Sequence, residues 1–170
     1  MANLSIARES SPIANPIDIV EELVSANEWA FERASDEEML VEVVGRWASY
    51  RMHFVWQQDL SSMYFSCLLD AKVPSTKRAA ASELVALINE RMWLGHFEMW
   101  SGSGLIIFRH STVLDTRDGE GLTLEQAEAI AEAALEECER FYPVFQFVLW
   151  GGKSPGEAIA AALIDTHGEA

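Results

Sequence analysis

The eighteen residues from Trp93 to His110, WLGHFEMWSGSGLIIFRH, read as one β-hairpin whose two faces can be assigned residue by residue. If Ser101 to Gly104 form the loop, Trp100 faces Leu105, Met99 faces Ile106, Phe97 faces Phe108 and Gly95 faces His110. The other face pairs Glu98 with Ile107 and His96 with Arg109. One face is aromatic and aliphatic, the other mixed and partly charged. That alternation belongs to an antiparallel sheet covered on one side.

Upstream, the same alternation marks strands over Trp29 to Ala34, Glu38 to Trp47, Tyr50 to Gln57 and Ser62 to Leu69. Met39, Val41, Val43 and Trp47 share one side of the second strand; Tyr50, Met52, Phe54 and Trp56 share one side of the third. A tight turn at Ala48 and Ser49 pairs Trp47 with Tyr50 and Val43 with Phe54. A Gln58 to Ser61 loop pairs Phe54 with Phe65 and Met52 with Cys67, so the apolar sets keep to one face.

Helical spacing supplies what covers that face. Asn15 is a good N-cap before Pro16, and Ile17, Val20, Leu23 and Val24 form a stripe ending near Ala26. Pro74 to Met92 carries Ala81, Leu84, Val85, Ile88 and Met92 on one side. The turn Asp115 to Gly121 delivers Thr123 as N-cap of a third helix, with Gln126 completing a capping box. Ala127, Ile130, Ala131, Ala134, Cys138, Phe141 and Phe145 line it, and Pro143 should end or kink it. Ser154 and Glu157 form a second capping box ahead of a terminal helix with Ala158, Ile159, Ala162 and Leu163. The fold class is therefore α+β, a twisted antiparallel sheet packed on helices.

At 170 residues and 49% hydrophobic content, one well-packed domain over 15–170 is expected, behind a flexible arm over 1–14. Cys67 and Cys138 fall on apolar stripes without metal-binding spacing, which favours burial as small hydrophobes. The first fourteen residues lack the apolar run of a signal peptide, and Glu or Arg interrupts every hydrophobic stretch; both point to a cytoplasmic protein. A net charge of −15 argues against nucleic acid and anionic membranes. It serves either solubility or an acidic recognition surface.

Candidate chemistry is sparse. The hairpin pairing puts His96 and His110 on opposite faces, so they cannot share a metal. His110 on the inner face reads as a hydrogen-bonded core or rim residue, and His53 as surface. Asp115, Asp118 and Glu120 lack the ligand spacing of a calcium loop. Glu136, Glu137 and Glu139 read as a solvated helix face rather than an acid/base pair. The SGSG loop has no following helix to bind phosphate, and no nucleophile elbow is present. No metal or cofactor is expected, and no enzymatic activity.

The order helix, four strands, helix, hairpin, helix, together with WLGHFEMW, GLIIFRH and RDGEGLTLEQ, resembles the YbjN family, bacterial proteins labelled sensory transduction regulators. The resemblance covers 15–145 and leaves 146–170 as a C-terminal helical extension. It implies a fold similar to type III secretion chaperones, which are small, acidic, usually dimeric, and bind an extended segment of another protein. The family offers no established catalytic residues to carry over.

The expectation is a non-enzymatic, chaperone-like or regulatory module that binds a polypeptide partner or pairs as a homodimer. Leu40, Val44, Val55, Leu68 and Ile107 on the outer strand faces form an interaction surface or are covered by helices on that side. The outer row of the hairpin, His96, Glu98, Ile107 and Arg109, is the candidate partner-binding site. The alternative is a small-molecule sensor with its ligand between sheet and helices, lined by Trp56, Phe65 and Phe108.

Overall fold

A computed structural model describes residues 15–115 and 121–165; the expected arm over 1–14 and most of the 115–121 turn, with Asp118 and Glu120, lie outside the described residues. The order is α1 (Pro16–Ala26), β1 (Ala30–Ser35), β2 (Glu38–Val44), β3 (Ser49–Gln57), β4 (Ser62–Lys72), α2 (Arg78–Asn89), β5 (His96–Met99), β6 (Leu105–Val113), α3 (Leu124–Leu149) and α4 (Pro155–Asp165). The strands form one antiparallel sheet in the order β1-β2-β3-β4-β6-β5. β4 and β6 are neighbours although α2 and β5 lie between them in sequence.

Local chemistry starts the helices as the sequence demands. The Asn15 side chain accepts the Ile17 N–H at 3.0 Å, and Thr123 and Gln126 exchange bonds of 3.2 and 3.1 Å in the capping box of α3. At α4, the Ser154 hydroxyl accepts the Glu157 N–H while the Glu157 carboxylate accepts the Ser154 N–H at 2.9 Å. Each cap contributes ~1 kcal/mol by satisfying a donor that the helix cannot.

Side-chain parity builds one core. Met39, Val41, Val43, Tyr50, Met52, Phe54, Trp56, Phe65, Cys67, Phe97, Ile106 and Phe108 are buried on one sheet face, against residues from all four helices. Phe97 sits at the centre: its ring meets those of Phe108, Phe145 and Phe141 edge to face, with centroids 5.6, 5.7 and 5.9 Å apart. Such pairs add ~0.5–1.5 kcal/mol each to the burial of their area. Both cysteines are free and buried, within this layer.

The hairpin register is as the sequence predicts from His96↔Arg109 to Met99↔Ile106. So is the β3–β4 register, with Phe54 opposite Phe65 and Met52 opposite Cys67. The β2–β3 hairpin differs. Val43 faces Tyr50 and Met39 faces Phe54, so the partner of each residue is displaced by four positions. An even displacement keeps the apolar faces together, which is why alternation alone does not detect it. The cause is a wider loop. Gly45 N–H donates to Ala48 C=O at 2.9 Å and Arg46 N–H donates to the Glu139 carboxylate at 2.7 Å, which ends β2 at Val44. Trp47 is left 45% exposed, with the Arg46 guanidinium 5.0 Å over its ring. Any side chain at Gly45 would overlap the Glu139 carboxylate and the Tyr50 ring.

The solvated reading of Glu136, Glu137 and Glu139 therefore needs correction: Glu136 is exposed, whereas Glu137 and Glu139 are half-buried, and Glu139 holds the β2–β3 loop from 93 residues away. Pro143 does not end α3 either. Proline cannot donate to the Glu139 carbonyl, a defect worth ~3 kcal/mol in an isolated helix. Burial of Phe141, Tyr142, Val144, Phe145, Val148 and Leu149 outweighs it, and the helix runs on to Leu149. Residues 145 and 146 thus lie within one helix. α2 is shorter than expected, because a turn of 3-10 helix over Ser75–Lys77 precedes it and it stops at Asn89.

Two outcomes follow from this packing. Phe97→Ala removes the ring shared by β6 and α3 and is expected to cost about 3–5 kcal/mol, read as a lowered denaturant midpoint. Burial pushes the Glu137 carboxyl above the usual carboxylate range, with Glu136 adding and Arg140 opposing. A raised folded pKa means that stability is lost as pH rises from the unfolded value through the folded one. Glu137→Gln is therefore expected to raise the melting temperature at pH 7 and to have little effect near pH 4, where the wild-type carboxyl is itself protonated.

Candidate interaction face

The outer face of the sheet carries three cross-strand rows. Ala30, Glu42, Arg51, Leu68, Ile107 and Glu98 form the first; Glu32, Leu40, His53, Ser66, Arg109 and His96 the second; Glu38, Val55, Tyr64 and Ser111 the third. The helices pack elsewhere. Ile107 is 2% exposed yet belongs to no part of the helix-covered core, and Ser66 is also buried. Their shelter comes from neighbouring strands and side chains on a sheet that twists around its outer centre.

That shelter forms a depression of about 440 Å³, lined from β1 by Ala30, Phe31 and Glu32, from the middle strands by Leu40, His53, Ser66 and Leu68, and at the far end by Ile107 and Trp100. No helix residue lines it. Of the five outer apolar positions, Leu40 is 42% and Val44 82% exposed, so among the described residues helices do not cover this side. Trp100 departs from the sequence reading, which placed it on the inner face. Its backbone N–H does donate to Leu105 C=O at 2.9 Å, as expected, and the alternation of His96 and Glu98 carries on to Trp100, which puts its side chain on the outer face. The indole is half-exposed and donates to Glu98 at 3.1 Å. Arg78 fixes the adjacent loop by donating to the carbonyls of Ser101 and Gly102.

Polar side chains of the outer rows are tied together in a line. His53 meets Glu38 at 2.7 Å and stands edge-on to Tyr64; the Arg109 guanidinium lies 5.0 Å over Tyr64 and 3.7 Å from Glu98, which is 3.7 Å from His96. His96, Glu98, Ile107 and Arg109 are thus brought into one patch, but Ile107 alone of the four lines the depression. The patch is its flank. Leu40, His53, Ser66 and Leu68, absent from the candidate row, form more of the surface, and Phe31, opposite core residue Val41, borders it at the sheet edge. Parity had marked Leu40 and Leu68 as outward. Nothing in the sequence marks Phe31, because β1 is short and its faces cannot be told apart without β2.

His110 lies across the sheet from this patch, half-buried, and burial holds its imidazole below the usual histidine range, with His96 adding to the effect. Trp56, Phe65 and Phe108 are buried among other side chains, Phe65 stacked edge-on between Phe54 and Phe108 at 4.7 and 6.2 Å. They fill the core and do not line the outer depression. Among the described residues no three His, Cys, Asp or Glu side chains group as a metal site, and no helix is long and apolar enough to cross a membrane.

The two edges of the sheet are unequal. At β5 the Asn89 side chain accepts the Phe97 N–H at 2.8 Å and donates to the Phe97 C=O at 3.0 Å, taking the two bonds that another strand would make at that residue. At β1 every residue but Arg33 is exposed. Asn89→Ala is expected to lower stability by about 1–3 kcal/mol, since two half-buried bonds are lost. It should also promote self-association, seen as a rise in light scattering well below the melting temperature.

A helix-backed antiparallel sheet with one bare, sheltered face and one capped edge defines the class of this protein. It is an α+β domain. The chain belongs to the YbjN family: residues 16–147 match the family model, described as "Putative bacterial sensory transduction regulator". Among solved structures it is similar to YbjN from E. coli, at 11% identity and a TM-score of 0.52, covering 75% of this chain and 91% of that one. The ExsC–ExsE complex contains a chain 13% identical with a TM-score of 0.49, covering 75% and 91% respectively. No curated protein matches.

Proposed function

We propose that this protein is a non-enzymatic regulatory module that binds an extended polypeptide across the outer face of its sheet. The observation that carries this reading is the depression without a helix wall, floored by Leu68, Ile107 and Ser66 and rimmed by polar side chains. A sheet face of this size is ordinarily closed by a second layer, and here a partner chain takes that place. Membership of a family described as regulatory supports the same direction.

An extended segment fits better than a helix. The depression runs across strands from β1 to Trp100, and a chain lying there can set alternate side chains onto Leu40, Leu68 and Ile107. His96, Glu98 and Arg109, beside its far end, supply orienting polar contacts. Apolar anchors surrounded by a polar rim are the usual arrangement of binding energy in an interface.

The test is selection of displayed random ten-residue peptides on the immobilised protein, followed by affinity measurement with Leu40→Glu and Leu68→Glu. Both positions retain solvent contact, so the variants should keep the wild-type circular dichroism. Selected peptides are expected to bind them about tenfold or more weakly, through lost apolar contact and a buried charge. Peptides whose affinity ignores both substitutions would remove the outer face from the function.

A further inference from the structure

The unequal edges and the charges beside them identify the partner's chemistry, an inference that rests on the polypeptide-binding reading above. We propose that the partner segment is a β-strand that pairs with the free edge of β1 and carries basic side chains alternating with apolar ones. The pairing of a bare strand edge, an adjoining apolar depression and an uncompensated acidic border carries the argument.

Of the two edges, β1 is the more open among the described residues: all of it but Arg33 is exposed, whereas Asn89 takes the Phe97 N–H and C=O at the β5 edge. β1 is also where the depression begins, at Ala30, Phe31 and Glu32. Phe31 is 41% exposed, although Val41 opposite it is buried. A strand laid beside β1 would continue the sheet, set one series of side chains beside Phe31 on the core side and send the other over the outer face.

The charge around that edge has one sign. Glu28, Glu32, Asp36, Glu37 and Glu42 are exposed along β1 and the adjoining turn and strand. The basic residue of β1 reaches only Asp36 among them, at 3.9 Å. Arg33 is held by α1, with its guanidinium 2.6 Å from Glu21 and 2.8 Å from Asp18, and the Glu21 and Asp18 bonds raise its pKa. Arg51, across from Glu42, is the one cation of the depression's lining. Among the described residues Glu28, Glu32, Glu37, Glu42 and Arg51 have no ion pair. A second copy of this chain is a poor occupant, because joining two β1 edges would set these carboxylates against each other at a net charge of −15 per chain. A strand bearing lysine or arginine would meet them favourably.

The experiment uses the full chain, isotope-labelled, with three capped ten-residue peptides that alternate valine with lysine, with serine or with glutamate. The lysine peptide is expected to shift the amide signals of residues 30–35 and to leave those of 96–99 in place. Its affinity should fall about tenfold between low and high salt, and about tenfold in Glu32→Lys/Glu42→Lys, a variant that should gain affinity for the glutamate peptide. Equal binding of serine and lysine peptides at β1 overturns the charge inference and leaves strand addition standing. Shifts at 96–99, or scattered over acidic surface elsewhere, overturn the choice of edge. Binding of none of the three overturns this inference, while peptides selected against Leu40 and Leu68 would still uphold the broader reading.

Discussion

The structure depends on one asymmetry: four helices bury their apolar stripes on the same face of a six-stranded sheet. Phe97 is where that layer is joined most closely, since one ring touches β6 through Phe108 and α3 through both Phe141 and Phe145. Aromatic side chains fill such a layer with few residues. Two faces cannot be closed by one helical layer. The outer centre at Ser66 and Ile107 is therefore kept from water by sheet curvature and flanking side chains.

The same asymmetry explains how much of the fold is legible in the sequence. Alternation in Glu38 to Leu69 and in the 96–109 hairpin reports which residues face the core, because burial on a single face writes a period of two into the chain. It does not report which residue sits opposite which. The β2–β3 register is set by Glu139, which bonds to Arg46 N–H from α3, and no local pattern announces a bond between residues so distant. Pro143 teaches a related lesson. A helix breaker is a local property, whereas the burial of Tyr142, Val144 and Phe145 that carries α3 through it is tertiary.

The candidate surface is legible in part for similar reasons. Ile107, Leu68 and Leu40 stand out as apolar residues at outward positions, and the row of His96, Glu98 and Arg109 follows from hairpin pairing alone. Phe31 and Trp100, at opposite ends of the depression, do not stand out. Phe31 belongs to an edge strand with a single neighbour, and Trp100, though of the same parity as His96 and Glu98, lies just past a strand's end.

Asn89 has a consequence for stoichiometry. A sheet with two free edges can be extended indefinitely, each added strand or subunit offering a new edge to the next, which is the geometry of a fibre. By completing the hydrogen bonds of Phe97 at one end, Asn89 obstructs growth there and makes β1 the more open edge among the described residues. A second copy that joined at β1 would then present an obstructed β5 edge rather than another open one. Among the described residues, a sheet obstructed at one edge favours closed, countable assemblies over fibres.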